Sequence, residues 1–587
     1  MMENFEIAAA LDEVADLLEI QDANPFRVRA YRNAVRTIGD LTRSLTAMVE
    51  EGEDLTRLPG IGKEMAGHIR ELATTGVLSV LDEVARDVPR SLADLTRLDG
   101  VGPKKARKLW EELDVTSVDE LEEALDRGTV RELQGFGEKS ARKIEASIRD
   151  FRKHQERFLL SRADVLVAPL LERLEALSEV ERVEVAGSYR RRRETVGDVD
   201  LLVLCDHEGS REEVMERFTS HPGIERVESA GTTRGRIVLR SGLPVDIRIL
   251  PRTSYGAALH YFTGSKEHNV AIRTLGSKKG LRINEYGVFR EEPSGAEEVP
   301  EERVGGEEEA DVFGAVDLPW IPPLLRENRG EIEAAREGHL PDLLTLDRMR
   351  GDLQMHSTWS DGKNTLREMV EACRDRGYAY LAITDHSRAV TVAGGLEPSE
   401  VRRQWEEIDR VRDEVEGIRL LRSLEIDILK DGSLDMPDDI LRELDLVLVS
   451  VHSFMDMGKE EMTSRVIRAL EHPEVDILAH PTGRILNRRE PFELDVEEVL
   501  KAAAELDVAV ELNAHPGRLD LHDGYLRRAK ELGVKVAVST DSHSVRELEN
   551  MRYGVDQARR GWLEAEDVVN AWPLEELDRW RERRRPR

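Results

Sequence analysis

Gly187-Ser188-Tyr189-Arg190-Arg191-Arg192-Arg193-Glu194-Thr195-Val196-Gly197-Asp198-Val199-Asp200-Leu201-Leu202-Val203 is the stretch around which the rest of the chain is read. Val199, Leu201, Leu202 and Val203 are strand formers, and alternation along a strand sends Asp198 and Asp200 to one face. Two carboxylates on one face, with Gly187-Ser188 and several arginines just upstream, suit divalent metals and a polyphosphate. A charged, solvated strand edge presents the same Asp-x-Asp, so the surroundings decide.

The 587 residues are enough for several domains, each burying its own core. No apolar run approaches the roughly 18 residues of a membrane span. The longest, Leu444 to Val451, already contains Asp445. Glu3, Glu6 and Asp12 are unlike a secretory leader. Cys205 and Cys373 have no metal-like spacing, which fits a reducing, cytoplasmic setting. The net charge of −32 argues globally against nucleic acid, but a global sum does not decide a local surface. Only 16 of the 86 basic residues are lysine, a bias that fits either a high-salt host or a GC-rich genome. At high salt, side-chain contacts to phosphate weaken and backbone N–H contacts gain importance.

Residues 3–20 read as a helix through Ile7, Leu11, Val14 and Leu18. A loop at Asn24 then enters a second helix with Arg27, Arg29, Arg32 and Arg36 interleaved with aromatics, a basic face. Three echoes follow: Leu58-Pro59-Gly60-Ile61-Gly62-Lys63, Leu98-Asp99-Gly100-Val101-Gly102-Pro103-Lys104-Lys105 and Leu133-Gln134-Gly135-Phe136-Gly137-Glu138-Lys139. The paired glycines allow a tight turn and bring backbone N–H groups close to an anion, which a helix N-terminus and a lysine complete. One such hairpin is what any tight helix connection gives. Three in succession point to a binder of the DNA backbone that reads no sequence. They resemble helix-hairpin-helix motifs.

Short strands are expected at Val183–Ala186, Asp198–Leu204, Arg236–Leu239 and Val245–Leu250, the last bringing a third carboxylate, Asp246. Three aspartates from neighbouring strands would hold two Mg²⁺ about 3.5–4 Å apart, activating an attacking hydroxyl and steadying a leaving pyrophosphate. In His260-Tyr261-Phe262-Thr263-Gly264-Ser265, followed by Asn269 and Arg273 one helical turn apart, the chain offers walls for a nucleotide's sugar and base. Tyr261-Phe262 would equally serve as core aromatics.

On these motifs, and on Arg282-Ile283-Asn284-Glu285-Tyr286-Gly287, residues 1 to about 317 resemble a family X DNA polymerase. The resemblance implies that Asp198, Asp200 and Asp246 are the metal-binding catalytic residues. It implies that Gly187, Ser188, Arg191 and Gly197 hold the triphosphate, and that Tyr261, Phe262, Gly264, Asn269 and Arg273 shape the pocket around the nascent base pair. In relatives that excise a 5′-deoxyribose phosphate, a lysine nucleophile lies on the helix after the first hairpin. That position is His68 here, and the nearby amine, Lys63, sits elsewhere on the helix, so lyase activity is expected to be weak or absent. Residues 291–311 read as an exposed acidic loop. Leu318 to Pro323, with a short helix near Ile332–Arg336, reads as a linker tethered by Trp320.

From Met349 apolar strands alternate with amphipathic helices, as in a parallel α/β barrel, and polar residues cluster where the strands end. Five histidines and three or four carboxylates converging there would make a multinuclear site for Mn²⁺, Zn²⁺ or Fe²⁺. The set resembles the PHP (polymerase and histidinol phosphatase) family over residues 349 to about 575. By that resemblance His356, Asp361, His386, Glu425, His452, His480, Asp541 and His543 are metal ligands. Gln354 stands where the family has the first histidine, and its amide oxygen is a weaker donor than imidazole.

The order of these parts is that of bacterial and archaeal family X polymerases with a PHP domain. It implies gap filling in base-excision or end-joining repair, with the barrel as a 3′→5′ exonuclease, AP endonuclease or 3′-phosphatase. The expected partners are gapped or primer-template DNA and dNTPs, with no membrane, in a monomer. The expected divisions are 1–90, a lyase-like helical domain with the first hairpin; 91–154, two further hairpins; and 155–255, an α+β nucleotidyltransferase palm. Then come 256–317, a nucleotide-selecting subdomain; 318–348, a linker; and 349–587, the PHP barrel. Two competing readings are a phosphoesterase whose polymerase-like half only presents DNA, and a non-catalytic DNA-end binder carried by the hairpins.

Overall fold

A computed structural model describes residues 4–39, 45–50, 52–96, 98, 100–155, 157–290 and 302–584. The chain forms two compact units, Met1–Glu156 with Asn487–Arg489, and the remainder.

The described part of the first unit is helical around one apolar core that includes Leu11, Leu18, Tyr31, Ile69, Leu109 and Phe136. At each hairpin the first glycine, Gly60, Gly100 or Gly135, has φ of +71°, +89° or +94°, a conformation side chains resist. The apolar residue between the glycines, Ile61, Val101 or Phe136, is buried and pins the turn to the core. Helices α1 (Lys63–Thr75), α2 (Pro103–Leu113) and α3 (Glu138–Gln155) start directly after the second glycines. The basic face expected after Asn24 is only partly free. Arg32 is caged by Asp12, Asp16 and Glu19, and Arg29 lies over the Phe26 ring at 4.7 Å. The Arg36 side chain falls outside the described ones.

In the second unit, a mixed sheet comprises β1 (Arg182–Val185), β2 (Val199–Leu204), β3 (Ile224–Ala230), β4 (Arg234–Leu239) and β5 (Pro244–Leu250). The strand order is β1-β2-β5-β4-β3. β2 is buried on both faces, with Leu201 and Val203 against one core and Leu202 and Leu204 against another that includes Tyr255 and Leu259. It is therefore not the solvated edge that a bare Asp-x-Asp would allow. Helices α4 (Tyr255–Thr263) and α5 (Lys266–Lys278) follow, then the antiparallel strands β6 (Leu281–Asn284), β7 (Gly287–Arg290) and β8 (Arg303–Gly305).

Two expectations need correction beyond this point. Of the acidic stretch 291–311, residues 291–301 lie outside the described ones, but the rest is built into the fold. Helix α6 (Glu309–Ala315) buries Glu309 against Arg326 at 2.6 Å, Arg190 at 2.7 Å and the Trp320 indole N–H at 2.7 Å. Two guanidinium groups compensate its desolvation, and its carboxyl stays well below the usual range. Beyond it the chain is a packed strap rather than a linker: Leu318, Ile321 and Leu325 are buried with Ile272 and Phe313, and α7 (Glu331–Glu337) buries Glu331 against His268.

The remainder is a barrel of seven parallel strands in sequence order: β9 (Gly351–Asp352), β10 (Tyr380–Ile383), β11 (Arg419–Asp427), β12 (Leu446–Ser450), β13 (Ile477–Leu478), β14 (Ala509–Asn513) and β15 (Val536–Ser539). Just past the first and last strands, His356 N–H donates to Ser542 O at 2.8 Å and Asp541 N–H to Gln354 O at 3.0 Å, joining the ends. An apolar cluster of Ala382, Leu448, Ala509 and Ala537 includes Trp572 and Trp580 from the carboxyl-terminal segment. The polar residues gather at the opposite, carboxyl ends of the strands. Helix α8 (Met551–Arg560) docks the barrel on the palm: its Asp556 pairs with Arg192 at 2.6 Å and its Gln557 donates to Glu194, which also accepts from Arg484 of the barrel.

Candidate active sites

The parallel pairing of β2 and β5 puts Asp200 directly opposite Asp246. Burial, reinforced by the charges of Asp198 and Asp246, pushes the Asp200 carboxyl up to about 7. Asp246 is also raised, chiefly by burial, against the pull of Arg236, whose Nη1 donates to it across the sheet at 2.8 Å. Asp200 and Asp246, both raised, lie beside Asp198, and a divalent cation would relieve that crowding of charge. Gly187 opens the preceding turn with φ of +65°, and a Cβ there would lie 2.9 Å from Asp200 Oδ2. Ser188 follows on the same one-turn helix, and Gly197 precedes Asp198 on the approach to β2.

The arginines upstream are less free than the sequence suggests. Arg190 is bound to Glu309 and Thr263, and Arg192 to the barrel. Arg191 donates to Thr263 O at 2.5 Å and to Glu327 at 3.1 Å. Tyr261 and Phe262 end α4 in an edge-to-face pair 5.1 Å apart, and Arg248 covers the Phe262 ring at 4.1 Å. Gly264 follows, close to Arg191. Asn269 donates to Tyr261 O at 2.7 Å while its Oδ1 is buried without a partner, and Arg273 is exposed one turn further along α5. Arg236 and Arg157, which donates to Thr195 and feels the charge of Asp198, carried no motif and were missed. A strand partner for Asp246 was the available signal for Arg236.

In the first unit the second glycines, Gly62, Gly102 and Gly137, have no heavy atom within 4 Å of where a Cβ would be, leaving open surface at three helix starts. Lys63, Lys104 and Lys139 are exposed beside them. Lys105, expected to contact DNA, turns inward instead: its ammonium donates to Gly100 O and Ser140 and lies over the Phe136 ring, bracing the second hairpin on the third. His68 stacks on Tyr31, whose hydroxyl is 3.2 Å from its Nδ1.

The barrel brings all eight expected ligand side chains together. Glu425 is the hub, 2.8 Å from His480, 3.3 Å from His386, 3.4 Å from His452 and 3.5 Å from His356. His356 is 3.1 Å from Asp541, and Asp361 is 3.4 Å from His543. Burial alone would raise Glu425, yet the surrounding imidazoles hold it well below the carboxylate range. Burial opposes charge on His543, but Asp361 and Asp541 push it up to about 10. His386, where burial dominates, falls to about 4. Three interlocking groups of donors form: His356, Asp361, His386 and His543; His386, Glu425 and His452; and His356, Glu425 and Asp541. Gln354 is fully buried, and neither of its amide atoms makes a hydrogen bond, nor do His356 Nδ1, His386 Nδ1 and Glu425 Oε2. Such a concentration of unsatisfied buried donors and acceptors fits a metal centre. His480 and Asp541 also hold positive φ, strain of the kind found at functional positions.

The supporting shell was not assigned from sequence. Asp427 accepts from His452 N–H, Glu511 from His480 N–H, and Asn513 donates to Asp541. Their spacing along the same strands was the signal, since residues two apart share a face.

Comparison with known proteins agrees with this architecture. A helix-hairpin-helix domain model matches residues 2–78 and a SAM-like helix-hairpin-helix tandem 92–150. DNA polymerase beta palm and thumb models match 162–238 and 258–327, and a PHP domain model matches 352–515. The DNA polymerase/3'-5' exonuclease PolX of Bacillus subtilis is 38% identical over 579 residues, covering 98% of this chain and 99% of that one. The chain belongs to the PolX family. Within family X more widely, Arabidopsis thaliana DNA polymerase lambda is 27% identical over 303 residues, 47% of this chain and 54% of that protein. This chain is also similar to a probable phosphatase of Acetivibrio thermocellus, 34% identical over 188 residues, 31% of this chain and 73% of that protein. Among the described residues no helix is long and apolar enough to cross a membrane.

Proposed function

We propose that the chain is a DNA-directed DNA polymerase that fills short gaps during repair and trims 3′ ends with its barrel. The observation that carries this is the in-register pair Asp200 and Asp246, beside Asp198, in the same chain as a cluster of five histidines, three of them buried. Asp198, Asp200 and Asp246 would hold Mg²⁺. Gln354, His356, Asp361, His386, Glu425, His452, His480, Asp541 and His543 would hold Mn²⁺, Zn²⁺ or Fe²⁺. Bound there, such cations supply Lewis-acid charge stabilisation and acidify coordinated water.

The chain's own residues do the rest. Gly187, Ser188, Arg191 and Gly197 seat the triphosphate, and Tyr261, Phe262, Gly264, Asn269 and Arg273 set the shape that a correct base pair must fill. The open hairpin glycines, with Lys63, Lys104 and Lys139, grip the DNA backbone. Asp427, Glu511 and Asn513 orient the barrel's ligands. The setting is a cytoplasmic monomer. The test is primer extension and degradation on gapped DNA by Asp198→Ala and His356→Ala. The first is expected to lose extension and keep degradation, and the second to do the reverse. Extension surviving the first change, or degradation the second, would overturn the assignment. The likeness to a phosphatase supports a second activity, removal of a 3′-phosphate, read on a 3′-phosphorylated primer.

A further inference from the structure

Behind Arg191 lies a buried ionic cluster that joins palm, strap and barrel. Glu327 Oε1 accepts from Arg191 Nε at 3.1 Å, and lies 3.0 Å from Arg560 Nη1 and 3.8 Å from Arg193 Nη1. Arg560 ends α8 of the barrel with its side chain 1% exposed. It is fixed by Asp523 at 2.6 Å and donates to the Arg191 carbonyl, also at 2.6 Å. Asp523 in turn holds Arg329 of the strap at 3.2 Å. On its other side Arg191 Nη1 donates to Thr263 O. Nη2 makes no hydrogen bond among the described residues.

An arginine so gripped at Nε and Nη1 has one edge left to offer and little rotamer freedom left to lose on binding. A planar guanidinium held in this way presents a directed fork to an anion, which a free side chain does not.

We propose that Glu327 is a positioning residue for the incoming nucleotide: clamped by Arg560 of the barrel, it aims the Arg191 guanidinium at the triphosphate. The barrel is thereby part of the frame of the polymerase site. This rests on the reading of Arg191 as a triphosphate contact.

The experiment uses full-length Glu327→Gln, Glu327→Asp, Arg191→Lys and the double variant Glu327→Gln/Arg560→Gln. Single-nucleotide insertion is measured across dNTP concentrations, with degradation of the same labelled primer as the control. Loss of one charge-assisted hydrogen bond predicts about a tenfold rise in KM for dNTP in Glu327→Gln, with kcat within about twofold. Degradation by Glu327→Gln should be unchanged. Glu327→Asp, which keeps the charge, should recover part of the affinity. The double variant should be no worse than Glu327→Gln, because both changes break one clamp. Wild-type KM in Glu327→Gln would overturn the proposal. So would a joint fall of kcat, degradation and thermal stability, which marks a merely structural role. A wild-type KM in Arg191→Lys would instead remove the triphosphate reading itself.

Discussion

Gly187→Ala is the sharpest probe of the polymerase site, because the residue is constrained twice over. Its φ of +65° costs an alanine roughly 1–2 kcal/mol. A Cβ would also sit 2.9 Å from Asp200 Oδ2, where ordinary contact begins near 3.4 Å, so the carboxylate must shift by about 0.5 Å. A misplacement of about 1 Å near reacting groups is worth roughly a hundredfold in rate. Half that shift predicts about a tenfold fall in kcat/KM for nucleotide insertion, about 1.4 kcal/mol of transition-state stabilisation. Backbone strain should lower Tm by a few degrees only. The assay is single-nucleotide insertion on gapped DNA, with primer degradation in the absence of dNTP as the control, because the barrel is untouched. A folded variant that inserts nucleotides at the wild-type kcat/KM would show that Asp200 does not need its present position, and the three-aspartate assignment would fall with it.

Other consequences are as direct. Gln354→His should tighten Mn²⁺ binding and speed 3′-end degradation, since imidazole is the better donor; calorimetry showing unchanged affinity would mean that residue 354 is not a ligand. His543, pushed up to about 10, is protonated at pH 8 in the metal-free protein and must be neutral to ligate. Mn²⁺ binding at pH 8 should therefore release close to one proton per chain, read by calorimetry in buffers of different ionisation enthalpy, and affinity should weaken as pH falls. The sign for metal-free stability is the opposite of a carboxylate's: the His543 contribution is complete below about pH 6.5 and fades as pH rises through about 10. With His68 against Tyr31 in place of a lysine, borohydride should trap little covalent adduct with a 5′-deoxyribose phosphate end. Efficient trapping that Lys63→Ala abolished would relocate the nucleophile.

What the sequence disclosed follows from what is local. Alternation suggests Asp198 and Asp200 on one strand face; β2 begins at Val199, leaving Asp198 just before it, while the parallel pairing of β2 with β5 sets Asp246 opposite Asp200. The barrel was legible because its expected ligands sit at or just past strand ends, which gather residues 185 positions apart, His356 with Asp541. The hairpins were legible because their turn chemistry repeats within six residues. Lys105 shows the limit. Its place in the motif predicted a phosphate contact, yet an adjacent helix supplies Ser140 and Phe136, and the ammonium is satisfied inside.

The acidic stretch after β7 fails for a related reason. A run of glutamates reads as solvated when its counter-charges cannot be seen: Glu309 is met by Arg190, more than 100 residues away, as well as by the nearer Arg326, and Glu327, beyond the stretch, by Arg191. The same distance hides the opposite error, since four consecutive arginines look like a polyphosphate cradle until three of them are found bound to carboxylates. Each misreading is the mirror of the other: the arginines before Asp198 and the glutamates after β7 neutralise one another in the folded chain. Arg191, held from behind by Glu327 and Thr263, keeps Nη2 free of protein hydrogen bonds among the described residues, and Arg193 meets Glu327 only at 3.8 Å. Pairing of opposite charges across the chain therefore narrows which of several equivalent arginines are left to meet an anion, and no local pattern can make that choice.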